Sequence, residues 1–175
     1  MLFREIAMEA RSPPQMLAFY GERLGLPSDA EHAEEVAVRA GATVLRFRSA
    51  PPGTAPTYHF ALRVPASEFD EAKSWLAART ELVRDGEQNE FEWDFWGARA
   101  AYATDPGGNI IELIAFPELD LLGDRRFSPE SLLGVAELGL PVSDPPEAVA
   151  RLAATVGERA LAAVGHVPVA VHVTG

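Results

Sequence analysis

The sequence predicts an α+β protein built from successive copies of one β-α-β-β unit, two whole and a third partial. Three observations predict it. Segments that alternate polar and apolar residues with period two exchange with segments carrying an apolar stripe at helical spacing. The opening of a unit recurs with every spacing kept. Glu5-Ile6-Ala7-Met8, Ser12-Pro13-Pro14-Gln15 and Gly25 are echoed by Glu137-Leu138-Gly139-Leu140, Asp144-Pro145-Pro146-Glu147 and Gly157. The run from Ala100 to Phe116 reads as a hairpin, an apolar strand turning at Pro106-Gly107-Gly108 into a second strand interrupted by Glu112.

The first module spans residues 1–49. Its opening strand, 2–10, puts Ile6 and Met8 on one face and Phe3, Glu5, Ala7 and Glu9 on the other. Ser12 is an N-cap, prolines follow at the first helical positions, and Gln15 is placed for a capping box. The helix passes Leu17 and Tyr20 and stops at Gly25. Strands at 34–40 and 42–48 turn at Gly41-Ala42, with room for one extra short strand. Residues 50–56, three of them proline, form a linker.

The second module spans 57–116. It runs through a strand at 58–64, a helix at 67–79, a strand-rich stretch at 90–96 and the closing hairpin. Residues 117–133 are a connector. The partial third module, 134–175, restarts as a strand and a helix, then adds strands at 159–164 and 167–173.

Hydrophobic residues make up 47% of the 175-residue chain, enough for a core. A net charge of −11 disfavours nucleic acid and anionic membrane surfaces as partners and is compatible with a cationic ligand. With no cysteine, disulfides, thiolate metal sites and thiol nucleophiles are excluded. No apolar run approaches the ~20 residues that cross a bilayer. Charge at Arg4 and Glu5 stands where a signal peptide would be apolar, so a cytoplasmic location is expected.

Two stretches carry a family resemblance: Phe19-Tyr20-Gly21-Glu22-Arg23-Leu24-Gly25-Leu26 and Asp105-Pro106-Gly107-Gly108-Asn109-Ile110-Ile111-Glu112-Leu113. With the repeated units, they resemble the vicinal oxygen chelate superfamily, which includes glyoxalase I, extradiol dioxygenases, fosfomycin-modifying enzymes and bleomycin-binding proteins. The resemblance implies paired βαβββ modules forming a cupped mixed sheet, helices outside and ligand inside. It also implies metal ligands on the first and last strands of each module, which here are Glu5 and Arg46, then His59 and Glu112. Strand parity supports one shared face for these four, because Ile6, Leu45 with Phe47, Phe60, and Ile111 with Leu113 point the other way.

The resemblance leaves three readings open. In the first, Glu5, His59 and Glu112 bind a divalent metal (Zn, Ni, Mn or Fe) in the cleft between modules one and two. Glu112 and Glu5 are then the catalytic carboxylates, one doubling as base in lyase or isomerase chemistry of glyoxalase type. Two glutamates with one histidine fit that better than extradiol ring cleavage. Arg46 departs from the metal-binding pattern, since a guanidinium does not ligate. It either holds an anionic substrate or replaces the metal by pairing with Glu5 or Glu112. The second reading is a metal-free small-molecule binder of the bleomycin-resistance type. Arg46, Trp93, Phe95 and Tyr102 are the expected substrate-binding residues. The third is an assembly role, in which the C-terminal partial module extends a sheet and mediates a homodimer. His32, His166 and His172 are expected to be incidental, and Glu137 to lie on a solvated edge or a subunit contact.

Overall fold

The first strand, β1 (Glu5–Ala10), alternates residue by residue: Glu5, Ala7 and Glu9 are exposed, while Ile6, Met8 and Ala10 are buried. Ser12 then accepts the Gln15 N–H, and prolines fill the first turn, where a missing donor is not needed. Helix α1 (Pro13–Leu17) continues as a wider π-helical segment, Ala18–Arg23, which buries Phe19 and Tyr20. The chain leaves through Gly25 at φ 75°. Strands β2 (Ser28–His32), β3 (Glu35–Ala40) and β4 (Thr43–Ser49) complete a mixed sheet of order β1-β4-β3-β2. The computed structural model describes residues 3–32, 34–94, 97–117, 126–139, 142, 144–156, 160–162 and 171–173. Phe95, His166 and connector residues 118–125 therefore lie outside the described residues.

The second module repeats this plan with β5 (His59–Arg63), α2 (Phe69–Ala77), β6 (Phe91–Trp93), β7 (Ala98–Thr104) and β8 (Ile110–Ala115). Its internal register matches the first. Ala7 lies beside Arg46 on the parallel pair β1–β4, and Ala61 lies beside Glu112 on the parallel pair β5–β8. The two modules meet through their helix-bearing faces. Ile6, Met8, Leu45 and Phe47 from one sheet and Phe60, Leu62, Ile111 and Leu113 from the other share one core. Tyr20 sits at the join, stacked on Phe47 at 5.1 Å and tilted against Phe60 at 6.3 Å.

The Asp-Pro-Gly-Gly-Asn turn owes its composition to one buried carboxylate. Asp105 Oδ1 accepts the Gly107 and Asn109 N–H groups at 2.8 and 2.9 Å. Its Oδ2 accepts Asn109 Nδ2 and the Tyr20 hydroxyl, both at 2.7 Å. Gly108 stands at φ 83°, a left-handed conformation that a side chain would strain. Asn109 reaches on to accept the Tyr58 N–H at 2.8 Å, so the turn also fixes the entry of β5. Burial and the adjacent Asp105 charge push the Tyr20 phenol well above its ordinary pKa, which keeps it a proton donor to Asp105.

First strand joins first strand in this fold, but the join links modules two and three. Strand β9 (Gly134–Gly139) pairs antiparallel with β5, giving the order β6-β7-β8-β5-β9. The path into β9 explains why. Leu133 accepts the Ala42 N–H at 3.0 Å and donates to the Arg63 carbonyl at 2.9 Å, so it bridges the first module's β3–β4 turn and the end of β5. Val135 N–H bonds to Thr43 Oγ1 at 2.9 Å, and Val135 O accepts the Phe3 N–H at 3.3 Å. Gly41 allows this approach, since a Cβ there would overlap the Leu132 carbonyl. Helix α3 (Pro145–Val156) follows, with Asp144 accepting the Glu147 N–H at 3.0 Å as its cap. Strands β10 (Ala160–Ala162) and β11 (Val171–Val173) form a separate antiparallel pair. Among the described residues no helix is long and apolar enough to cross a membrane.

Replacing Tyr20 by Phe removes one of four donors to a buried carboxylate and is expected to cost about 1–2 kcal/mol. Asp105→Ala, which strands all four, is expected to cost on the order of 3 kcal/mol or more. Urea unfolding monitored by circular dichroism checks both. Equal losses in the two variants would contradict a central role for the carboxylate.

Candidate ligand site on the second sheet

The second sheet turns a polar face away from the shared core, and one row across it brings the ionisable groups together. Tyr102 on β7 lies beside Glu112 on β8, Glu112 beside Ala61 on β5, and Ala61 beside Glu137 on β9. Because Ala61 carries only a methyl group, the two glutamates flank it with nothing longer between them. Strand alternation places His59, two residues before Ala61, on the same face. Ala61, Ala98, Ile114 and Phe116 form a small apolar cluster beside this row, with Ala136 packed against it.

His59 Nε2 and Glu112 Oε2 are 2.8 Å apart, and the Tyr102 hydroxyl donates to Glu112 Oε1 at 3.1 Å. Trp93 Nε1–H donates in turn to the Tyr102 oxygen at 3.0 Å. With Glu112 as acceptor, His59 donates from Nε2. The Glu112 side chain is 3% exposed and that of His59 13%, so a carboxylate in an otherwise apolar strand is satisfied by two side-chain partners. Phe91 meets Tyr102 edge-on at 5.4 Å, and Trp93 is 41% exposed, extending an aromatic wall toward solvent.

Electrostatics sort the row. Burial first, then the Glu112 charge, push the Tyr102 phenol above its ordinary range, so it remains a donor at neutral pH. Burial first, then Glu112 again, push Glu137 up to about 8. Glu137 is therefore mostly protonated at neutral pH beside an ionised Glu112. It is 2% exposed, a buried member of the row and not the solvated edge that the sequence suggested. The reason is the β5–β9 pairing, which needed long-range contacts to be visible.

The other two expected site residues lie on the first sheet. Arg46 donates to Glu5 at 3.2 Å and to Glu35 at 2.7 Å, and Arg48 donates to the other Glu35 oxygen at 2.7 Å. These bonds raise the Arg46 pKa, Glu5 first and Glu35 next, and lower that of Glu35, through Arg46 and then Arg48. Glu35 was missed from sequence. Its signal was a glutamate on β3 with the same strand parity as two arginines on β4, directly across from Arg48. The expected foursome is thus divided: Glu5 and Arg46 sit together on one sheet, and His59 and Glu112 sit together on the other.

That division bears on the metal. Among the described residues, no group of three His, Asp or Glu side chains is arranged to hold an ion. The expected set of Glu5, His59 and Glu112 is split between sheets, and His59 and Glu112 spend their facing atoms on each other. These residues do not fit a resident three-ligand ion within one chain.

Comparison with solved structures agrees with this architecture. Lactoylglutathione lyase from Agrobacterium tumefaciens superposes with a TM-score of 0.53 at 20% identity, covering 68% of this chain and 96% of that one. The chain shares the fold of this lyase, as the resemblance to the vicinal oxygen chelate superfamily implied. A glyoxalase/bleomycin resistance protein/dioxygenase from Nocardioides shares it at 17% identity and a TM-score of 0.52, covering 71% of this chain and 89% of its own. An integron cassette protein from the metagenome of the Halifax Harbour sewage outfall matches at 22% identity and 0.56, covering 66% and 97%. No family model and no curated protein matches the sequence. The vicinal oxygen chelate fold accounts for the paired-strand plan, and about a third of this chain lies beyond each superposition.

Glu137 predicts a pH signature. A carboxyl raised from 4.5 to about 8 holds its proton in the folded state where the unfolded chain has lost it. Its contribution is complete below about pH 4.5 and is lost as pH rises through about 8. Glu137→Gln is expected to flatten that decline, stabilising the protein near pH 9 by a few kcal/mol relative to its effect near pH 5. Urea denaturation at the two pH values measures it, and equal shifts at both would refute the assignment.

Proposed function

We propose that this protein binds a small organic molecule on the polar face of the second sheet, without a metal. The His59–Glu112–Tyr102–Trp93 hydrogen-bond chain is the single observation that carries the reading. It is a preformed polar anchor, backed by the buried core and bordered by Phe91 and Trp93, which is the usual make-up of a small-molecule site. The ligand that suits it is planar enough to lie on the aromatic wall and carries a cationic or hydrogen-bond-donating group. Glu112 supplies the carboxylate acceptor, with the His59 imidazole beside it. Tyr102 and Trp93 hold Glu112 in place and are positioning residues.

Similarity to the neighbours supports the fold only, and the name of the Nocardioides protein spans both enzymes and binders. The anchor itself favours the metal-free alternative, because its donors already satisfy the carboxylate that a metal would need. Arg46, expected to bind substrate, is held by Glu5 and Glu35 on the other sheet and takes no part in this reading.

The test is a thermal-shift and calorimetric screen of aromatic amines, guanidines and matching neutral or anionic analogues, with chelator-treated protein. Cationic or donor-bearing planar compounds should bind, and Glu112→Gln should weaken them by roughly ten- to a hundredfold, the cost of a charge-assisted bond. Metal analysis runs beside it. A stoichiometric ion that disappears in both Glu112→Gln and His59→Ala would overturn the metal-free reading in favour of a metal-dependent lyase or isomerase.

A further inference from the structure

We propose that the ligand of the second sheet is an amphiphilic amine, a cation that carries a flexible apolar arm as well as a planar group. This inference rests on the ligand reading above and adds the arm to it. Among the described residues, the large apolar side chains most open to solvent are Val83, Trp93, Ile110 and Val142. Scattered singly, such residues need no explanation. Val83, Trp93 and Ile110 are not scattered, because they border the Glu112 anchor on one face.

Val83 reaches that face through a short pairing with β7. Leu82 and Ala103 form an antiparallel bridge, and the Val83 N–H donates to the Tyr102 carbonyl at 2.8 Å. Leu82 and Ala103 are buried on the core side, so Val83 points outward beside Tyr102. The row of the site therefore starts one residue further out, as Val83, Tyr102, Glu112, Ala61, Glu137. Ile110 lies two residues before Glu112 on β8, between Thr104 of β7 and His59 of β5. Phe91 and Trp93 close a third side through their contacts with Tyr102. Apolar surface thus extends from the carboxylate in three directions, more than one planar ring can cover.

The spacing sets the length of the arm. Val83 stands two strand separations from Glu112, about 9.5 Å, and Ile110 about 6.7 Å along its own strand. A cation seated at Glu112 can therefore lay an arm of roughly six carbons across Tyr102 to Val83. Beside Val83 a hollow of about 440 Å³ is lined by that residue with Thr80, Glu81, Leu82, Arg84 and Thr104. It gives the arm room to end, with Glu81 and Arg84 exposed at its rim. Charge selects the head group. No lysine or arginine stands in the Val83 row or in the row of Thr104, Ile110, His59 and Gly139. A fatty anion carries the same arm but would set its head against the Glu112 carboxylate.

Isothermal titration calorimetry with benzylamine and its N-propyl and N-hexyl derivatives tests the arm. Affinity should rise about twofold per methylene, half the value for full burial, and octanoate should not bind. A Val83→Ser, Ile110→Thr double variant with unchanged circular dichroism should bind N-hexylbenzylamine roughly tenfold more weakly and benzylamine as before. Glu112→Gln should weaken both compounds alike. If none of the amines binds, the ligand reading and the arm fall together. If benzylamine binds through Glu112 but the hexyl arm adds nothing, or its gain survives the double variant, the ligand reading stands and the arm is overturned. Octanoate binding as tightly as N-hexylbenzylamine would overturn the choice of a cation. A double variant that converts an oligomer to a monomer with the gain per methylene intact would assign Val83 and Ile110 to a contact between copies, and would also overturn the arm.

Discussion

The buried carboxylate of Asp105 is the constraint on which the arrangement of this protein depends. It receives two backbone N–H groups from its own turn, a side-chain amide from Asn109 and the hydroxyl of Tyr20 from the other module. An ionised group at 4% exposure is tolerable only when it is fully supplied with donors. The cost of leaving any of them unmade locks the hairpin, the π-helical end of the first helix and the entry of β5 into one geometry. Tyr20 also fills the space between Phe47 and Phe60, so the same residue supplies a hydrogen bond and the packing that joins the two modules.

That join has a consequence for where a ligand site forms. With the helix faces of modules one and two packed together, their polar sheet faces look outward and each must find its own complement. The second sheet finds one in β9, which is guided to the edge of β5 by hydrogen bonds to Ala42, Thr43, Phe3 and Arg63. Glu137 comes with it, and its protonation at neutral pH lets two carboxyls share a desolvated row without mutual repulsion. The first sheet solves the same problem differently. Glu5, Glu35, Arg46 and Arg48 neutralise one another across three strands.

The two polar faces therefore differ in what they can do. Paired charges on the first sheet satisfy each other and leave little electrostatic demand for a ligand. On the second, the Glu112 carboxylate is held by His59 and Tyr102 among aromatic rings, with no lysine or arginine in the chain of bonds that anchors it. An acidic anchor of this kind agrees with the charge of −11 carried by the whole protein, which would favour the approach of a cation.

Much of the fold was legible in the sequence because it is written locally. The alternation of Ile6 and Met8, the Ser12 cap, the Gly25 stop and the Asp105 hairpin depend on neighbours a few residues away, and each formed as the pattern indicated. The face of Glu112 and His59 was equally legible, since strand parity fixes it. Which faces meet was not legible. Glu5, His59 and Glu137 each sit on a module's first strand with the same alternation, and nothing in that pattern says which first strand will lie beside β5. The decision rests on contacts between residues some 70 to 90 positions apart, such as Ala61 with Glu137 and Thr43 with Val135. Sequence alone indicated the repeated strand–helix–strand plan and the polarity of its strand faces. Only the tertiary structure decided that β9 completes the second sheet, because an open strand edge accepts any partner of matching pattern and the choice falls to whichever packing buries it best.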